Sequence, residues 1–124
     1  MFDKLKLKKK GVYEFTKNPG DILLAVADDR QGMVPRFEEA EAFTLTVIRD
    51  GKKVQKQTLG MQEGSSEEDT IKALKELKVD GIVARNFMPK NMAMLRKNQI
   101  RMYFFNGGPN AALKDFIQGS LKEA

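Results

Sequence analysis

Three arginines lie in segments that follow runs of apolar residues, as loops at strand ends do. Arg30 and Arg36 lie in the polar segment 28–37, and Arg85 follows the apolar run 82–84. A guanidinium donates two parallel hydrogen bonds to a carboxylate or a phosphate, so these side chains suit an anionic ligand. Taken singly, each arginine is more simply explained as a solvated loop charge. The sequence predicts an anion site only if these segments meet in the fold.

Two loops at the same predicted end of the molecule run into helices that begin with Pro89 and Pro109. Proline is favoured at the first helical position, and the free N–H groups of that turn attract anions. The turn 106–109 lacks the lysine and the spacing of a phosphate-binding loop, so its simplest role is a tight turn into a helix. The candidate ligand-binding residues are Asp28, Arg30, Met33, Arg36, Arg85, Asn86, Met88, Asn106, Gly107 and Gly108.

Asp28 and Asp29 form a carboxylate pair at the end of the first apolar run. Paired carboxylates bind Mg²⁺ or act as general acid and base, which is the chemistry of a nuclease-like enzyme. Such a site needs further carboxylates at the same end of the sheet, and Asp80 lies at the start of its strand, the opposite end. Carboxylates that only shape the loop are the simpler interpretation, and a Mg²⁺-dependent enzyme is the lesser alternative.

The chain has no cysteine and no histidine. Disulfides, thiolate nucleophiles, thiolate-bound clusters and imidazole bases are therefore excluded. Thioethers remain as soft metal ligands, and Met33 and Met88 are the two methionines in the loops considered above. Met88, Met92 and Leu95 share helical spacing, so part of the methionine set is core packing.

The net charge of +5 invites a nucleic-acid hypothesis, but its distribution argues against one. Residues 1–20 hold six lysines against two acids, which leaves the remainder nearly neutral. We therefore predict a basic N-terminal extension over residues 1–20 and a single α/β domain over residues 21–124, with nucleic-acid binding unlikely. No apolar run reaches the roughly 20 residues of a membrane span, and the first residues lack a signal-peptide core, so we expect a cytoplasmic protein without membrane contact.

Six consecutive apolar residues, 22–27, predict a central strand that is covered on both faces. Asp50-Gly51 predicts a tight hairpin between strands 42–49 and 52–59. The remaining predicted elements are a helix to about residue 78, strand 79–84, a helix from 89 to about 98, strand 100–105 and a helix that ends before Gly119.

The first of these helices has two possible capped starts, Ser65 with Glu68 or Ser66 with Asp69. Right-handed crossovers place the three helix-linked strands in one sheet, and the hairpin adds an antiparallel edge. The predicted fold is therefore α/β, with a mixed five-stranded sheet of order about 3-2-1-4-5, one antiparallel edge, and helices on its faces.

With these elements placed, the chain resembles the dinitrogenase iron–molybdenum cofactor biosynthesis family over roughly residues 21–121. The resemblance rests on the order and spacing of 22–27, Val34, 36–37, Ala40, Phe43, Leu77, 79–83, 88–89, 94–95, 100–103, Gly107 and 116–121. It implies a three-layer, ribonuclease-H-like fold. It also implies a non-enzymatic protein that binds or carries the iron–molybdenum cofactor or an iron–sulfur precursor, with nitrogenase or cofactor-assembly proteins as partners.

The chain departs from the family in the residues that would ligate such a cluster. Arg85-Asn86-Phe87 stands where family members often have two glycines, and the histidine or cysteine that cluster-binding members often use is missing. Binding would then depend on arginines and helix N-termini that contact an anionic cargo without ligating its metals. The alternative is a cluster-free protein-interaction module with the same fold.

Overall fold

The computed structural model describes residues 17–62 and 64–124, so most of the predicted N-terminal extension lies outside the described residues. The strands are β1 (Ile22–Asp28), β2 (Ala42–Arg49), β3 (Lys52–Gly60), β4 (Gly81–Ala84), β5 (Arg101–Phe104) and β6 (Lys122–Glu123). The helices are α1 (Glu67–Glu76), α2 (Pro89–Lys97) and α3 (Pro109–Ile117), and a 3₁₀ turn spans Phe37–Glu39. Within the described residues, no helix has the length and apolar character needed to cross a bilayer.

The strands form one sheet in the order β3-β2-β1-β4-β5-β6. The predicted order of the first five strands is confirmed, but the predicted number of strands is wrong. The sixth strand, β6, pairs antiparallel with β5 through Tyr103↔Glu123 and Phe104↔Lys122, so both edges of the sheet are antiparallel. A two-residue polar strand has no apolar pattern that a sequence could reveal. The ribonuclease-H-like assignment stays a prediction.

The first strand, β1, is the centre of the sheet, as its unbroken apolar run predicts. It pairs antiparallel with β2, from Ile22↔Ile48 to Asp28↔Ala42, and parallel with β4, beginning at Leu24↔Gly81. Residues 23–27 are all buried because strands lie on both sides and helices on both faces. The predicted hairpin follows, and the exposed surface of β3 confirms it as an edge strand.

The sheet lies between two layers of helices, so the molecule has three layers. The ring of Phe116 in α3 packs edge-on against Tyr103 on one face, with ring centroids 5.1 Å apart. The next strand residue, Phe104, faces the other way. Its ring packs against that of Phe87, two residues before α2, with ring centroids 5.9 Å apart. Since α1 packs against α2, these two helices share the face opposite α3.

Candidate functional site

The carboxyl ends of β1, β4 and β5 lie side by side, and each continues into one of the loops that the sequence singles out. We call segments 28–37, 85–88 and 105–108 together the loop end of the sheet. Because neighbouring parallel strands end at the same edge, their following loops are brought together by the sheet itself. The sheet therefore brings the three loops to one end of the molecule, as the sequence predicts.

The first loop is hydrogen-bonded directly to the third. The Val34 N–H donates to the Gly107 carbonyl at an N···O distance of 2.7 Å. A Cβ atom placed on Gly108 would lie 3.2 Å from the Gly32 carbonyl oxygen, so the two backbones are in close approach. At Gly107, φ is +153°, and a Cβ atom would lie 2.7 Å from the Phe105 ring. The predicted turn into α3 therefore requires glycine at position 107.

The first loop is also fastened to the second. The Arg85 N–H donates to the Pro35 carbonyl at 2.8 Å, and the Phe37 N–H donates to the Asn86 carbonyl at 2.9 Å. The rings of Phe37 and Phe87 stack with centroids 5.8 Å apart, and both are buried. Backbone bonds and aromatic packing therefore hold these two loops together as one surface.

The aspartate pair shapes the first loop. Asp28 Oδ1 accepts the Arg30 N–H at 2.7 Å, and Asp29 Oδ1 accepts the N–H groups of Gln31 and Met33 at 2.7 and 3.1 Å. These bonds are typical of aspartates that stabilise turns. Within residues 17–62 and 64–124, no three acidic, histidine or cysteine side chains are placed to hold a metal ion. The geometry thus favours a loop-shaping role for both aspartates.

The three arginines differ in their surroundings. Arg30, at φ +62°, extends toward the end of β3, where a Cβ atom on Gly60 would lie 2.9 Å from its Nη2. Arg85 forms an exposed ion pair with Glu39, with Nη2 and Oε1 3.6 Å apart. The Arg36 guanidinium is exposed and has no hydrogen bond or ion pair with any described residue. The Arg30 guanidinium is likewise exposed and forms no hydrogen bond or ion pair with a described residue, so Arg30 and Arg36 are both available to an incoming anion.

The two helix N-termini at the loop end differ in their availability. The Met88 N–H, at the N-cap of α2, donates to Glu38 Oε2 at 2.9 Å, so a carboxylate already occupies that helix end. The N-cap of α3 is Gly108, and no side chain caps that helix, which begins at Pro109. An anion would therefore be attracted to α3 and opposed by Glu38 at α2.

The remaining candidate side chains differ in how freely they face solvent. Met33 and Met88 are 44% and 37% exposed, which is unusual for methionine side chains of a folded domain. Asn86 and Asn106 are both exposed, and Asn86 Oδ1 accepts the Phe87 N–H at 2.9 Å. Two thioethers and two amide side chains are thus accessible at the loop end.

Sequence reasoning missed a buried polar cluster behind the second loop. Asn91 is 0% exposed, and its Nδ2 donates to Glu38 Oε2 at 2.6 Å and to Glu67 Oε1 at 3.0 Å. One available signal was that Asn91 precedes Leu95 by four residues, which places a polar residue on the buried face of α2. The partners of Asn91 come from distant parts of the chain and carry no such signal.

A family model described as dinitrogenase iron–molybdenum cofactor matches residues 20–119. The chain belongs to this family. The resemblance inferred from the residues is confirmed, and it extends over nearly all of the described chain. Among curated proteins, no significant match is found.

Solved structures similar to this family member share its fold at low sequence identity. The crystal structure of a candidate dinitrogenase from Methanocaldococcus jannaschii has a TM-score of 0.72 at 20% identity, covering 84% of this chain and 95% of that one. The NMR structure of a candidate NifB protein from Thermotoga gives 0.64 at 22%, covering 82% and 92%. The apo form of the orange protein from Desulfovibrio gigas gives 0.66 at 16%, with the same coverage. These likenesses concern the fold alone.

Proposed function

We propose that this protein is a non-enzymatic carrier in nitrogenase cofactor assembly, and that it holds an anionic metal cluster at the loop end. The observation that supports this most directly is that backbone hydrogen bonds join the three loops into one surface. That surface carries the exposed Arg36 and adjoins the uncapped N-terminus of α3. The cargo would be the iron–molybdenum cofactor or an iron–sulfur precursor, which the family description suggests.

The chemistry of holding such a cargo follows from the side chains that the chain has. Without cysteine or histidine, the protein offers guanidinium and backbone N–H donors to the anionic surface of a cluster. The thioethers of Met33 and Met88 offer soft, weak contacts. A cargo held mainly by outer contacts can be passed on without breaking strong metal–thiolate bonds, which suits delivery to nitrogenase or to another assembly protein.

The test is anaerobic co-elution. The purified protein is mixed with isolated iron–molybdenum cofactor, and separately with its iron–sulfur precursor, and iron and molybdenum are measured in the protein peak after size separation. We expect metal in the protein peak, and we expect Arg36→Ala to weaken retention by about tenfold, the effect of losing a charge-assisted hydrogen bond. Arg85→Ala should weaken it less, since Arg85 is paired with Glu39.

Arg96→Ala is the matched control, because this exposed arginine lies in the last turn of α2, away from the helix end at the loops. It should leave retention unchanged. Absence of metal from the protein peak would refute the carrier proposal, and equal losses for Arg36→Ala and Arg96→Ala would refute the placement of the cargo. A cluster-free interaction module of the same fold would then be the better account.

A further inference from the structure

A second site candidate is a cavity of about 880 Å³ on the face of the sheet that α1 and α2 cover. It lies between the 3₁₀ turn, the link from β3 to α1, and the first turns of both helices. Four carboxylates line it, together with one described cation, Lys90. We call it the acidic cavity, after Glu38, Glu41, Glu67 and Glu68. None of the arginines of the loop end lines it.

Helix geometry explains only part of this charge. Glu67 and Glu68 lie in the first turn of α1. Glu38, in the 3₁₀ turn, accepts the N–H of the residue that caps the start of α2. Helix dipoles favour acids at both places. Glu41 belongs to no helix. Lys90 Nζ lies 3.7 Å from Glu67 Oε1, and the other three carboxylates of the cavity form no ion pair with a described residue. The cavity therefore has an excess of negative charge that the described chain does not compensate.

Two buried acceptor atoms at the wall of the cavity lack hydrogen-bond partners among the described residues. Glu38 Oε1 and Asn91 Oδ1 are both buried, and neither has a hydrogen bond within the part of the chain that the structure describes. The amide of Asn91 cannot be reversed to relieve this, because its Nδ2 already donates to two carboxylates. Buried acceptors of this kind are normally satisfied, so this wall of the cavity lacks donors.

A cation that donates hydrogen bonds would serve both the unpaired acceptors and the excess negative charge. An ammonium group has three N–H donors and no acceptor, so it can serve unpaired oxygens and carboxylates together. A bound metal ion fits less well, because the described residues contain no group of three acidic, histidine or cysteine side chains placed to ligate one. Phe37, Met61 and Met94 also line the cavity and provide an apolar wall for an alkyl chain.

We propose that the acidic cavity binds the primary ammonium group of an aliphatic amine. The bound ammonium displaces Lys90 from Glu67 and reaches the oxygens of Glu38 and Asn91. The alkyl chain lies along the apolar wall, and further ammonium groups of a polyamine meet Glu41 and Glu68. This binding is separate from the proposed carrier function and holds whether or not the loop end carries a cluster.

The probe is spermidine, titrated by calorimetry into the full chain at low ionic strength. We expect one-to-one binding that weakens as salt is added, because the outer carboxylates are screened. Choline has no N–H donor and carries one positive charge where spermidine carries three, so it should bind at least about tenfold more weakly. In NMR spectra, the side-chain amide signals of Asn91 should shift with spermidine and stay in place with choline.

Matched variants locate the site. Glu67→Gln should weaken spermidine binding by about tenfold, whereas Glu76→Gln, an exposed change in the last turn of the same helix, should leave it unchanged. Lys90→Ala should strengthen binding severalfold, because it removes the competing ammonium, and Lys97→Ala in the last turn of α2 should not. Glu76, Lys90 and Lys97 are exposed, and Gln at position 67 keeps an oxygen that can accept from Asn91, so folding should be retained.

Three results would overturn the proposal: no heat or Asn91 shift with spermidine, equal binding of choline, or equal effects of Glu67→Gln and Glu76→Gln.

A lysine side chain is another source of the same ammonium group, and a peptide with the sequence of residues 4–10 tests it. Peptide binding that spermidine displaces supports the ammonium site and identifies a lysine donor. Metal retention by Glu67→Gln should match the unsubstituted protein, so failure here is distinguishable from failure of the carrier proposal.

Discussion

At the scale of single residues, Gly107 shows how a backbone conformation can determine an amino acid. Its φ of +153° is tolerated almost only by glycine, and a side chain would collide with the Phe105 ring. Its carbonyl also accepts the bond from Val34 that joins the first and third loops. A substitution here should disturb the loop end without touching a single candidate ligand-binding side chain.

We predict that Gly107→Ala lowers the free energy of unfolding by roughly 1–3 kcal/mol, the cost of holding an alanine in a conformation it disfavours. Asn106→Ala, at the exposed neighbouring position, should change it by less than about 0.5 kcal/mol. Urea denaturation followed by circular dichroism measures both values. Similar stabilities for the two variants would show that the turn relaxes to accept a side chain.

Another residue-scale effect lies at the opposite end of the sheet. Asp21 is 8% exposed, and Arg49 holds it through contacts of 2.8 Å from Nη2 and 3.1 Å from Nε. Hydrogen bonding from Arg49, followed by that from the Asn18 backbone, lowers the pKa of Asp21 below its ordinary value of 3.8. A lowered pKa in the folded state means that the ionised carboxylate stabilises the fold.

The sign of the resulting pH dependence follows directly. The stabilisation by Asp21 should be complete above about pH 4 and should disappear as the pH falls through the lowered folded-state pKa. Asp21→Asn should therefore be less stable than the unsubstituted protein at pH 7, and the difference should shrink in acid. Thermal melts from pH 2 to 7 measure this, with Asp115→Asn as the control. A difference that stays constant down to pH 2 would rule out the linkage.

At the scale of elements, the start of α1 resolves an ambiguity that the sequence left open. Ser66 is the N-cap: its Oγ accepts the Asp69 N–H at 3.0 Å, and its own N–H donates to Asp69 Oδ2 at 3.4 Å. The alternative pair of Ser65 and Glu68 is not used. The two patterns are equivalent in sequence, and the position of the preceding link decides between them.

We predict that Ser66→Ala destabilises the protein by about 1 kcal/mol, since it removes the side-chain bond that caps the helix. Ser65→Ala is the control and should change stability by less than about 0.5 kcal/mol. Chemical denaturation with a shared slope gives the difference between the variants. If Ser65→Ala proved the more damaging, the helix would begin one residue earlier in solution.

Other elements show what sequence patterns can and cannot specify. Strand β1 was predictable because six consecutive apolar residues need cover on both faces. The hairpin was predictable because Asp-Gly favours the positive φ that both turn residues, Asp50 and Gly51, adopt. Strand β6 was not predictable, because two polar residues take an extended form only where an edge of β5 is available. The pairing with β5 depends on tertiary structure and leaves no local trace.

At the scale of the whole molecule, topology predicted the meeting of the loops but not the directions of their side chains. Parallel strands force segments 28–37 and 85–88 together, which the sequence order alone implies. The turn geometry that sends Arg30 toward Gly60, and the Glu39 that engages Arg85, depend on contacts that no local pattern encodes. Of the predicted trio of arginines, Arg85 is therefore held in an ion pair, whereas the Arg30 and Arg36 guanidiniums form no hydrogen bond or ion pair with a described residue.

The central position of β1 has a consequence for the order in which the chain folds. Strands β1, β2 and β3 are consecutive in sequence and are joined by segments 29–41 and 50–51, whereas β1 meets β4 only across a larger separation such as Leu24 to Gly81. Closing the larger loop is slower, so the antiparallel half should form in the transition state and the parallel half afterwards. Val47→Ala should mainly slow refolding, and Ile82→Val should mainly speed unfolding, as measured by stopped-flow mixing. The loop end would then be assembled last, so any cargo that it holds can meet only a chain whose folding is already complete.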